Sequence, residues 1–503
     1  MPMEGWDDDP GLPIEFGPCS NGEYDPEPYL PPVLEETIRR ARAACDENAR
    51  RLGLSRREFL LSICGAATTL AMLDACSREE HRANPTSPTS SPGGGYSISP
   101  SATLEPEPAH TDIGGEEFIF DIQGHLLEYD LNPVLHGQDF WTRFPQQHCG
   151  EDDPRVCYSI DHFLDLMFLR SDTSMLVLSA LPIYPQGSPL SAEIMDVTRR
   201  IVEGVCRDER VLLHAQALPN VGPMQDALDG MARTAERYPI VAWKSFTHFP
   251  DVFGDPGNAW WLDDHDPSLP QVGERFIRKT VELNIPLVCV HKGFSGGSPY
   301  SSPVDVGPAA ARHPDVSFVI YHSGFESGLT EGPYTSASAN VGINRLITSM
   351  RRAGIRPNQN VYAELGSTWW YVMRYPTQAA HVLGKLLKHV GEDNVVWGTD
   401  CLFYGSPQPL IQALRSFHIS EEFQDRYGYP ELTSEIKDKI LGLNAARLYG
   451  IEPITTRCEF TRKELEQVRR LLPGKNGALG PRTIAEAEVW RQHHYEEIAT
   501  DPA

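Results

Sequence analysis

Eight short apolar runs recur between residues 118 and 400, and their regular spacing is the feature that most constrains the fold. Runs that are apolar on both faces are typical of parallel strands buried on both sides of a sheet. The segments between them, such as 194–205 and 382–390, carry apolar residues at three- and four-residue steps, which predicts amphipathic helices. This alternation predicts a (β/α)8 barrel with the strands at 118–122, 175–180, 211–218, 240–245, 287–291, 318–322, 361–365 and 395–400.

Five segments are expected along the chain. Residues 1–54 form an acidic, Pro-rich leader, 55–76 an export-signal-like segment, and 77–115 a linker rich in Ser, Pro, Thr and Gly. The leader and the linker are predicted to be disordered, because they carry too few large apolar groups to offset the chain entropy. The barrel is expected at 116–452, and a C-terminal helical extension at 453–503 with helices at 463–472 and 484–498.

Residues 55–76 begin SRREFLL and resemble a twin-arginine export signal, with paired arginines ahead of a moderately apolar stretch. This predicts a periplasmic or other extracytoplasmic location, with the cytoplasm as the alternative. The competing structural interpretation is an ordinary helix that begins at Ser55, with Glu58 completing a capping box. Membrane contact is expected only during export or through lipidation of Cys76 in LDAC, since no apolar run reaches the roughly 18 residues that a spanning helix needs.

Composition narrows the range of partners. Lys and Arg total 44 against 69 Asp and Glu, and the resulting formal charge of -25 disfavours a nucleic-acid partner. A small-molecule substrate is expected instead, and the oligomeric state stays open. The cysteines show no paired metal-binding spacing, and isolated ones such as Cys206 and Cys289 are predicted to be free buried thiols.

Polar side chains stand where the predicted strands end. DIQGH places Gln123 and His125 two positions apart, so the two side chains share one face of the first strand. His291, His322 and Asp400 end the fifth, sixth and eighth strands. The carboxyl ends of barrel strands meet at one rim, which is where barrel enzymes hold their active sites. The pattern predicts a metal-dependent active site at that rim.

Six motifs in order resemble the amidohydrolase-related family of metal-dependent hydrolases, namely DIQGH, IPLVCVH, HPDVSFVIYHSG, NVYAE, NVVWGTD and KDKILGLNAARLYGI. The resemblance covers residues 116–452. It implies a TIM barrel with one divalent cation held by Gln123, His125, His291 and Asp400. Nitrogen and oxygen donors suit zinc, and manganese or iron are also compatible. Gln123 departs from the family pattern of His or Glu, and a neutral amide is a weaker ligand.

The resemblance also implies roles for individual residues. Asp400 is the expected ligand and general base, and His322 stabilises charge on the substrate carbonyl or fixes a ligand. Lys244 anchors a substrate carboxylate, bridges a second metal if carbamylated, or extends to solvent. Glu364 is expected to accept a hydrogen bond from a ligand histidine. Other histidines are expected on the surface, namely His110, His148, His248, His265 and His313.

The resulting hypothesis is a metal-dependent hydrolase that activates water against a lactone, ester or amide carbonyl. The first alternative is a lyase on the same scaffold, a non-oxidative decarboxylase of an aromatic or unsaturated carboxylic acid. Resorcylate decarboxylases, which resemble this chain, carry Glu at the position of Gln123. The second alternative is a non-catalytic binding protein on a degenerate barrel, suggested by the same neutral residue.

Overall fold

The computed structural model describes residues 10–14, 16–17, 19–24, 29–83, 92–127, 156–184, 188–250, 257–294, 298–458 and 461. Each of the eight predicted runs overlaps a barrel strand, although the eighth strand covers only the first two of the six residues predicted for it. Two short strands lie outside the barrel and pair with each other. The strands are β1 (Gly94–Tyr96), β2 (Phe120–Gly124), β3 (Met175–Ser179), β4 (Val211–Ala217), β5 (Ile240–Phe246), β6 (Leu287–His291), β7 (Ser317–Tyr321), β8 (Val361–Glu364), β9 (Val395–Val396) and β10 (Phe417–Ile419).

Strands β2 to β9 follow one another in parallel and in sequence order. The ring closes between its last and first strands, where the Ile122 amide donates to the Trp397 carbonyl at 3.0 Å and the Asp400 amide donates to the Gln123 carbonyl at 2.8 Å. The prediction of a (β/α)8 barrel is confirmed. Closure places the residues that follow β2 and β9 side by side at the carboxyl-terminal rim.

Helices lie between the strands, and the predicted amphipathic segments are helical. Residues 192–206 bury Val197, Ile201 and Val205, and residues 376–389 bury Val382 and Leu386. The helices are α1 (Pro32–Leu52), α2 (Arg56–Leu60), α3 (Ile63–Ala83), α4 (Pro106–Ile113), α5 (Ile160–Leu164), α6 (Ala192–Cys206), α7 (Met224–Arg237), α8 (Gly273–Glu282), α9 (Val306–Arg312), α10 (Asn344–Ala353), α11 (Thr368–Met373), α12 (Pro376–His389), α13 (Gln408–Ser416), α14 (Glu421–Tyr427), α15 (Ser434–Asp438) and α16 (Asn444–Tyr449).

The expectation of a disordered leader and linker is wrong for the residues that the structure describes. Helix α1 packs against α3, which runs through the predicted boundary at residue 76 and packs against α4. The physical reason is that α3 is rich in small apolar residues, which let helices approach closely, and that Leu70, Leu73 and Ile113 are buried anchors. These buried side chains were not predicted, because the average hydrophobicity of the leader and the linker is low.

The export-like segment begins with a capped helix, which was the alternative interpretation of these residues. Ser55 caps α2, its side chain accepting from the Glu58 amide while the Glu58 carboxylate accepts from the Ser55 amide. Cys76 is a buried free thiol within α3. Among the described residues, no helix combines the length and the apolar character needed to cross a bilayer. The helices predicted at 463–472 and 484–498 lie outside the described residues.

Two of the cysteine predictions have different outcomes. Cys289 is a free buried thiol, as expected. Cys206 is bonded instead to Cys458, and this disulfide ties the end of α6 to a residue 252 positions away. The prediction for Cys206 was wrong because no local spacing marks a partner so distant in sequence.

The packing of α3 makes a stability prediction. Leu70 is fully buried, whereas Leu61, nine positions earlier, is 59% exposed. Leu70→Ala in the full-length chain is expected to lower the free energy of unfolding by roughly 2–5 kcal/mol, through lost burial and a residual cavity. Leu61→Ala is the matched control and is expected to change it by no more than about 0.5 kcal/mol. Urea unfolding of both variants measures this, and equal values would show that α3 is not part of the folded unit.

Candidate active site

A cavity of about 80 Å³ lies at the carboxyl-terminal rim of the barrel. Six of the seven residues predicted for the site line it, and the seventh, Glu364, lies behind His322. Three residues of the leader also line it, which the sequence analysis did not foresee. The lining comprises Asn21, Gly22, Glu23, Gln123, His125, Ala180, Leu181, Pro182, Ile183, Lys244, Phe246, His291, His322, Asp400 and Phe403.

A larger cavity of about 700 Å³ lies between the leader, α2 and the segment 404–412. It contains none of the predicted metal ligands. The smaller cavity, where titratable groups converge, is therefore the candidate site.

Asp400 is the most heavily hydrogen-bonded side chain in the small cavity. Its Oδ1 accepts from Gln123 Nε2 at 2.7 Å and lies 2.9 Å from His125 Nε2. Its Oδ2 accepts from Asn21 Nδ2 at 2.9 Å and from the Ser367 hydroxyl. Burial raises the pKa of Asp400, but the contacts with His125 and with the Ser367 hydroxyl outweigh burial and hold the pKa below its usual range. The carboxylate is therefore ionised at neutral pH.

His125 is held in one tautomer by the backbone. Its Nδ1 lies 2.8 Å from the Ser179 carbonyl oxygen, which can only accept, so Nδ1 carries the proton. In the neutral ring Nε2 then presents a lone pair to the Asp400 carboxylate, 2.9 Å away. Two acceptors at this distance repel unless a proton or a cation lies between them. The geometry therefore calls for a positive charge at this point.

His322 and His291 form a second chain of contacts. His322 Nδ1 donates to the Gly366 carbonyl at 2.8 Å, and its Nε2 lies 3.2 Å from His291 Nδ1. The other nitrogen of His291, Nε2, lies 3.1 Å from the Gly293 carbonyl oxygen and 3.2 Å from Glu23 Oε2. Burial lowers the pKa of His322 to about 4 and also lowers the pKa of His291. Both rings are therefore neutral at neutral pH.

Glu23 is the acidic member of this second group. Burial, and next the Asp400 carboxylate, raise the pKa of Glu23 well above its ordinary value. Donor atoms of Glu23, His291 and His322 lie within 4.8 Å of one another, close enough to share one ion.

The donor atoms in the cavity are of the types that bind a divalent cation. His125 and His322 each donate the outer ring N–H to a backbone carbonyl, the arrangement that orients metal-binding histidines. Imidazole nitrogens together with carboxylate oxygens suit zinc or manganese. Gln123 turns its amide nitrogen toward Asp400, and its Oε1 is buried with no hydrogen-bond partner among the described residues. Its expected role as a ligand stays a prediction.

Lys244 enters the same cavity from the end of β5. It is 1% exposed, so the expectation that it extends to solvent is wrong. Its Nζ lies 3.0 Å from the centre of the Tyr321 ring and has no hydrogen-bond partner in the described part of the chain. Burial lowers its pKa to about 7, so the amine is partly protonated at neutral pH.

Glu364 supports the backbone of the site. Its Oε2 accepts from the backbone amide of His322 at 2.9 Å, and burial raises its pKa to about 8. The hydrogen bond that was expected from a ligand histidine is not seen among the described residues, because the donor is the backbone amide of His322. His322 and Asp400 both have φ of 62°, a left-handed conformation that costs non-glycine residues about 1–3 kcal/mol. Such strain is typical of functional sites.

Four contributors to the site were not predicted from the sequence. Asn21, Glu23 and Ser367 contact the predicted residues, and His248, expected on the surface, is buried with its ring centre 4.8 Å from that of His291. None lies at the end of an apolar run, so no pattern marked them. Among the other histidines, His110 and His265 are exposed as predicted, His313 is half-buried, and His148 lies outside the described residues.

Residues 196–451, just over half of the 503-residue chain, match the family model described as amidohydrolase. The chain belongs to the amidohydrolase family. Members of this family are enzymes, and so is this chain. The matched region contains His291, His322 and Asp400, whereas Gln123 and His125 precede it.

Several solved structures are similar, all at low identity. They include 2,6-dihydroxybenzoate decarboxylase from Rhizobium (16% identity, 66% of this chain, 99% of that chain, TM-score 0.37). A second is 4-oxalomesaconate hydratase from Rhodopseudomonas palustris (17% identity, 66% of this chain, 95% of that chain, TM-score 0.40). A third is manganese-bound 5-carboxyvanillate decarboxylase from Novosphingobium aromaticivorans (13% identity, 67% of this chain, 99% of that chain, TM-score 0.37). A comparison with curated proteins gives no match.

Proposed function

We propose that this member of the amidohydrolase family is a metal-dependent hydrolase that acts on an ester, lactone or amide carbonyl of a small substrate bearing a carboxylate. One observation carries the proposal. His125 Nε2 lies 2.9 Å from the ionised carboxylate of Asp400 in the rim cavity, and a divalent cation bound between the two side chains would be held by both.

His125, His291 and Asp400 are the proposed ligands, with Gln123 as a fourth candidate, and zinc suits them best. A divalent cation held there supplies Lewis acidity toward a carbonyl oxygen and increases the acidity of water. The other roles in the proposed reaction belong to side chains of the protein.

Asp400 is the proposed acceptor of the proton that the attacking water gives up, because it is ionised at neutral pH. His322 orients that water. Its Nδ1 proton is donated to the Gly366 carbonyl and the ring is neutral, so Nε2 accepts a hydrogen bond and has no proton to donate to a substrate oxygen. This replaces the expected role of His322 in stabilising charge on the carbonyl oxygen.

Lys244 is the proposed anchor for the substrate carboxylate. A buried amine without a hydrogen-bond acceptor is costly, and a carboxylate entering the cavity would satisfy it. This selects small acids as substrates.

The same lysine favours decarboxylation as a second candidate. A carboxylate held by Lys244 beside the apolar side chains of Leu181, Phe246 and Phe403 lies in surroundings that disfavour its charge. Loss of carbon dioxide breaks the bond between the carboxylate carbon and its neighbour. The electron pair stays on that neighbouring carbon, which then takes up a proton.

Product analysis in ¹⁸O-labelled water separates these reactions. The full-length protein, loaded with zinc or manganese, is incubated with a panel of small lactones, amides and aromatic acids that carry a carboxylate. Hydrolysis is expected to place one labelled oxygen in the product without releasing carbon dioxide. Carbon dioxide release without incorporation of label in the organic product would overturn hydrolysis in favour of the lyase. No turnover beyond that of metal-stripped protein would contradict both candidates.

We also propose export through the twin-arginine route. The paired Arg56 and Arg57 support this, as does the disulfide between Cys206 and Cys458, because disulfides persist in oxidising compartments. That route carries folded proteins, so α3, which is buried between Cys64 and Cys76, is expected to stay in the exported chain. Cell fractionation measures this, and protein found only in the cytoplasm would overturn it.

A further inference from the structure

The described part of residues 10–24 lies over the mouth of the barrel. Ile14 and Phe16 are buried, and the Phe16 carbonyl accepts a hydrogen bond from Arg374 at 3.2 Å. Cys19 donates through its thiol to the Phe403 carbonyl at 3.1 Å. These contacts join the leader to the loops that follow β8 and β9. The leader is therefore packed against the loops that form the rim of the site.

A tight turn aims the end of this segment into the cavity. The Asn21 side chain donates to Asp400 Oδ2 at 2.9 Å and accepts from the Glu23 amide at 3.1 Å. Gly22, between them, has φ of 84°, a conformation that glycine adopts without steric cost. The turn links the Asp400 carboxylate to the position of Glu23.

The carboxylate of Glu23 is directed at the two imidazoles. Its Oε2 lies 3.2 Å from His291 Nε2 and 3.9 Å from His322 Nε2. The side chain of Glu23 is only 16% exposed, so its charge is largely removed from water. Glu23 Oε2 also accepts a hydrogen bond from Asn21 Nδ2 at 2.9 Å, but this donor is neutral. A carboxylate so far removed from water keeps its charge only when a cation pairs with it.

Charge balance points in the same direction. The ligands proposed above contribute one negative charge, from Asp400, because His125 and His291 are neutral ligands and Gln123 is an amide. A divalent cation carries two positive charges, and burying an uncompensated charge is unfavourable. Glu23 supplies the second negative charge.

We propose that Glu23 is a ligand of the divalent cation, supplied to the barrel by the leader. This rests on the metal site of the proposed function and adds to it a residue outside the barrel. Gln123, at the end of β2, is a neutral amide and supplies no negative charge to the cation. Glu23, which precedes the barrel in the chain, supplies that charge instead.

Metal affinity tests the proposal independently of catalysis. Full-length protein is stripped of metal, and its affinity for Zn²⁺ and Mn²⁺ is measured by competition with a chromogenic chelator. Glu23→Gln keeps the shape of the side chain and removes its charge, and it is expected to weaken binding by at least about 10–100-fold, the range that supporting residues of metal sites show. Glu35→Gln, at an exposed glutamate of the same leader, is the matched control and is expected to bind as the wild type does.

The outcomes separate the two proposals. If the wild type binds one equivalent and Glu23→Gln binds it equally well, Glu23 is not a ligand, and the metal site of the barrel still stands. If the wild type binds no cation, the metal-dependent function itself is overturned. Should Glu23→Gln fail to fold, Glu23→Asp replaces it. This variant keeps the charge on a shorter side chain, and an intermediate affinity is expected, whereas an unchanged affinity would contradict the proposal.

Discussion

Replacing Asp400 by Asn is expected to lower kcat/KM by roughly 10²–10⁴-fold, the usual contribution of a positioned proton acceptor. The substitution keeps the size of the side chain but removes the charge that faces His125 and a bound cation. Cation affinity is expected to fall in parallel, because an amide is a weaker ligand than a carboxylate. Steady-state kinetics and chelator competition on the same preparation measure the two losses.

The control for this prediction is Asp208→Asn, at an exposed aspartate that follows α6. It is expected to leave kinetics and metal content unchanged. Asp400→Asn protein that retains both full activity and full metal content would remove Asp400 from the site. Loss of activity with full metal content would retain its role in proton transfer and remove its role as a ligand.

Replacing Lys244 by Met is expected to raise KM for a carboxylate substrate roughly 10–100-fold, since hydrogen bonds to charged groups contribute about 1.5–3 kcal/mol. The same change is expected to raise the free energy of unfolding at neutral pH by about 1–3 kcal/mol, because it removes a buried amine that lacks an acceptor among the described residues. A single substitution thus stabilises the protein and weakens substrate binding.

The sign of the pH dependence follows from the lowered pKa of Lys244. Burial takes this pKa from 10.5 to about 7, so between these values the unfolded chain holds a proton that the folded chain does not. The wild type therefore gains stability from this group as the pH rises from 7 to 10.5, and the advantage of Lys244→Met shrinks over that window. Substrate binding weakens over the same rise in wild type, because the deprotonated amine no longer attracts a carboxylate.

A second buried lysine provides the control. Lys292 is fully buried but pairs with Asp305 at 2.8 Å. Lys292→Met is expected to destabilise the protein by about 3–5 kcal/mol, since it leaves a buried carboxylate unpaired. Urea unfolding at several pH values measures both variants. Destabilisation by Lys244→Met at neutral pH would show that the amine has an acceptor or a modification that the account lacks.

The barrel and part of its site could be predicted from the sequence. Strands buried on both faces leave continuous apolar runs, and parallel strands end at one rim, so His125, His291, His322 and Asp400 were expected to meet there. Lys244 was placed at the rim too, but its burial depends on side chains of neighbouring strands that no local pattern records.

The rest of the site could not be predicted, because its contacts join residues that are far apart in the sequence. Asn21 and Asp400 are 379 residues apart, and neither the NGE turn nor the residues before it show helical or strand periodicity. The segment 77–115 was predicted to be disordered from its average composition, although its described residues include buried side chains such as Tyr96 and Ile113. The partner of Cys206 could not be predicted for the same reason, because residues that meet only in the folded protein have no characteristic separation in the sequence.

An anomalous-difference map from a crystal of the full-length protein, collected at the zinc or manganese edge, tests the central claim most directly. The account predicts one peak in the small cavity, within coordinating distance of the His125 and His291 imidazoles and the Asp400 carboxylate. A map without a peak there, from crystals grown with the metal present, would contradict it.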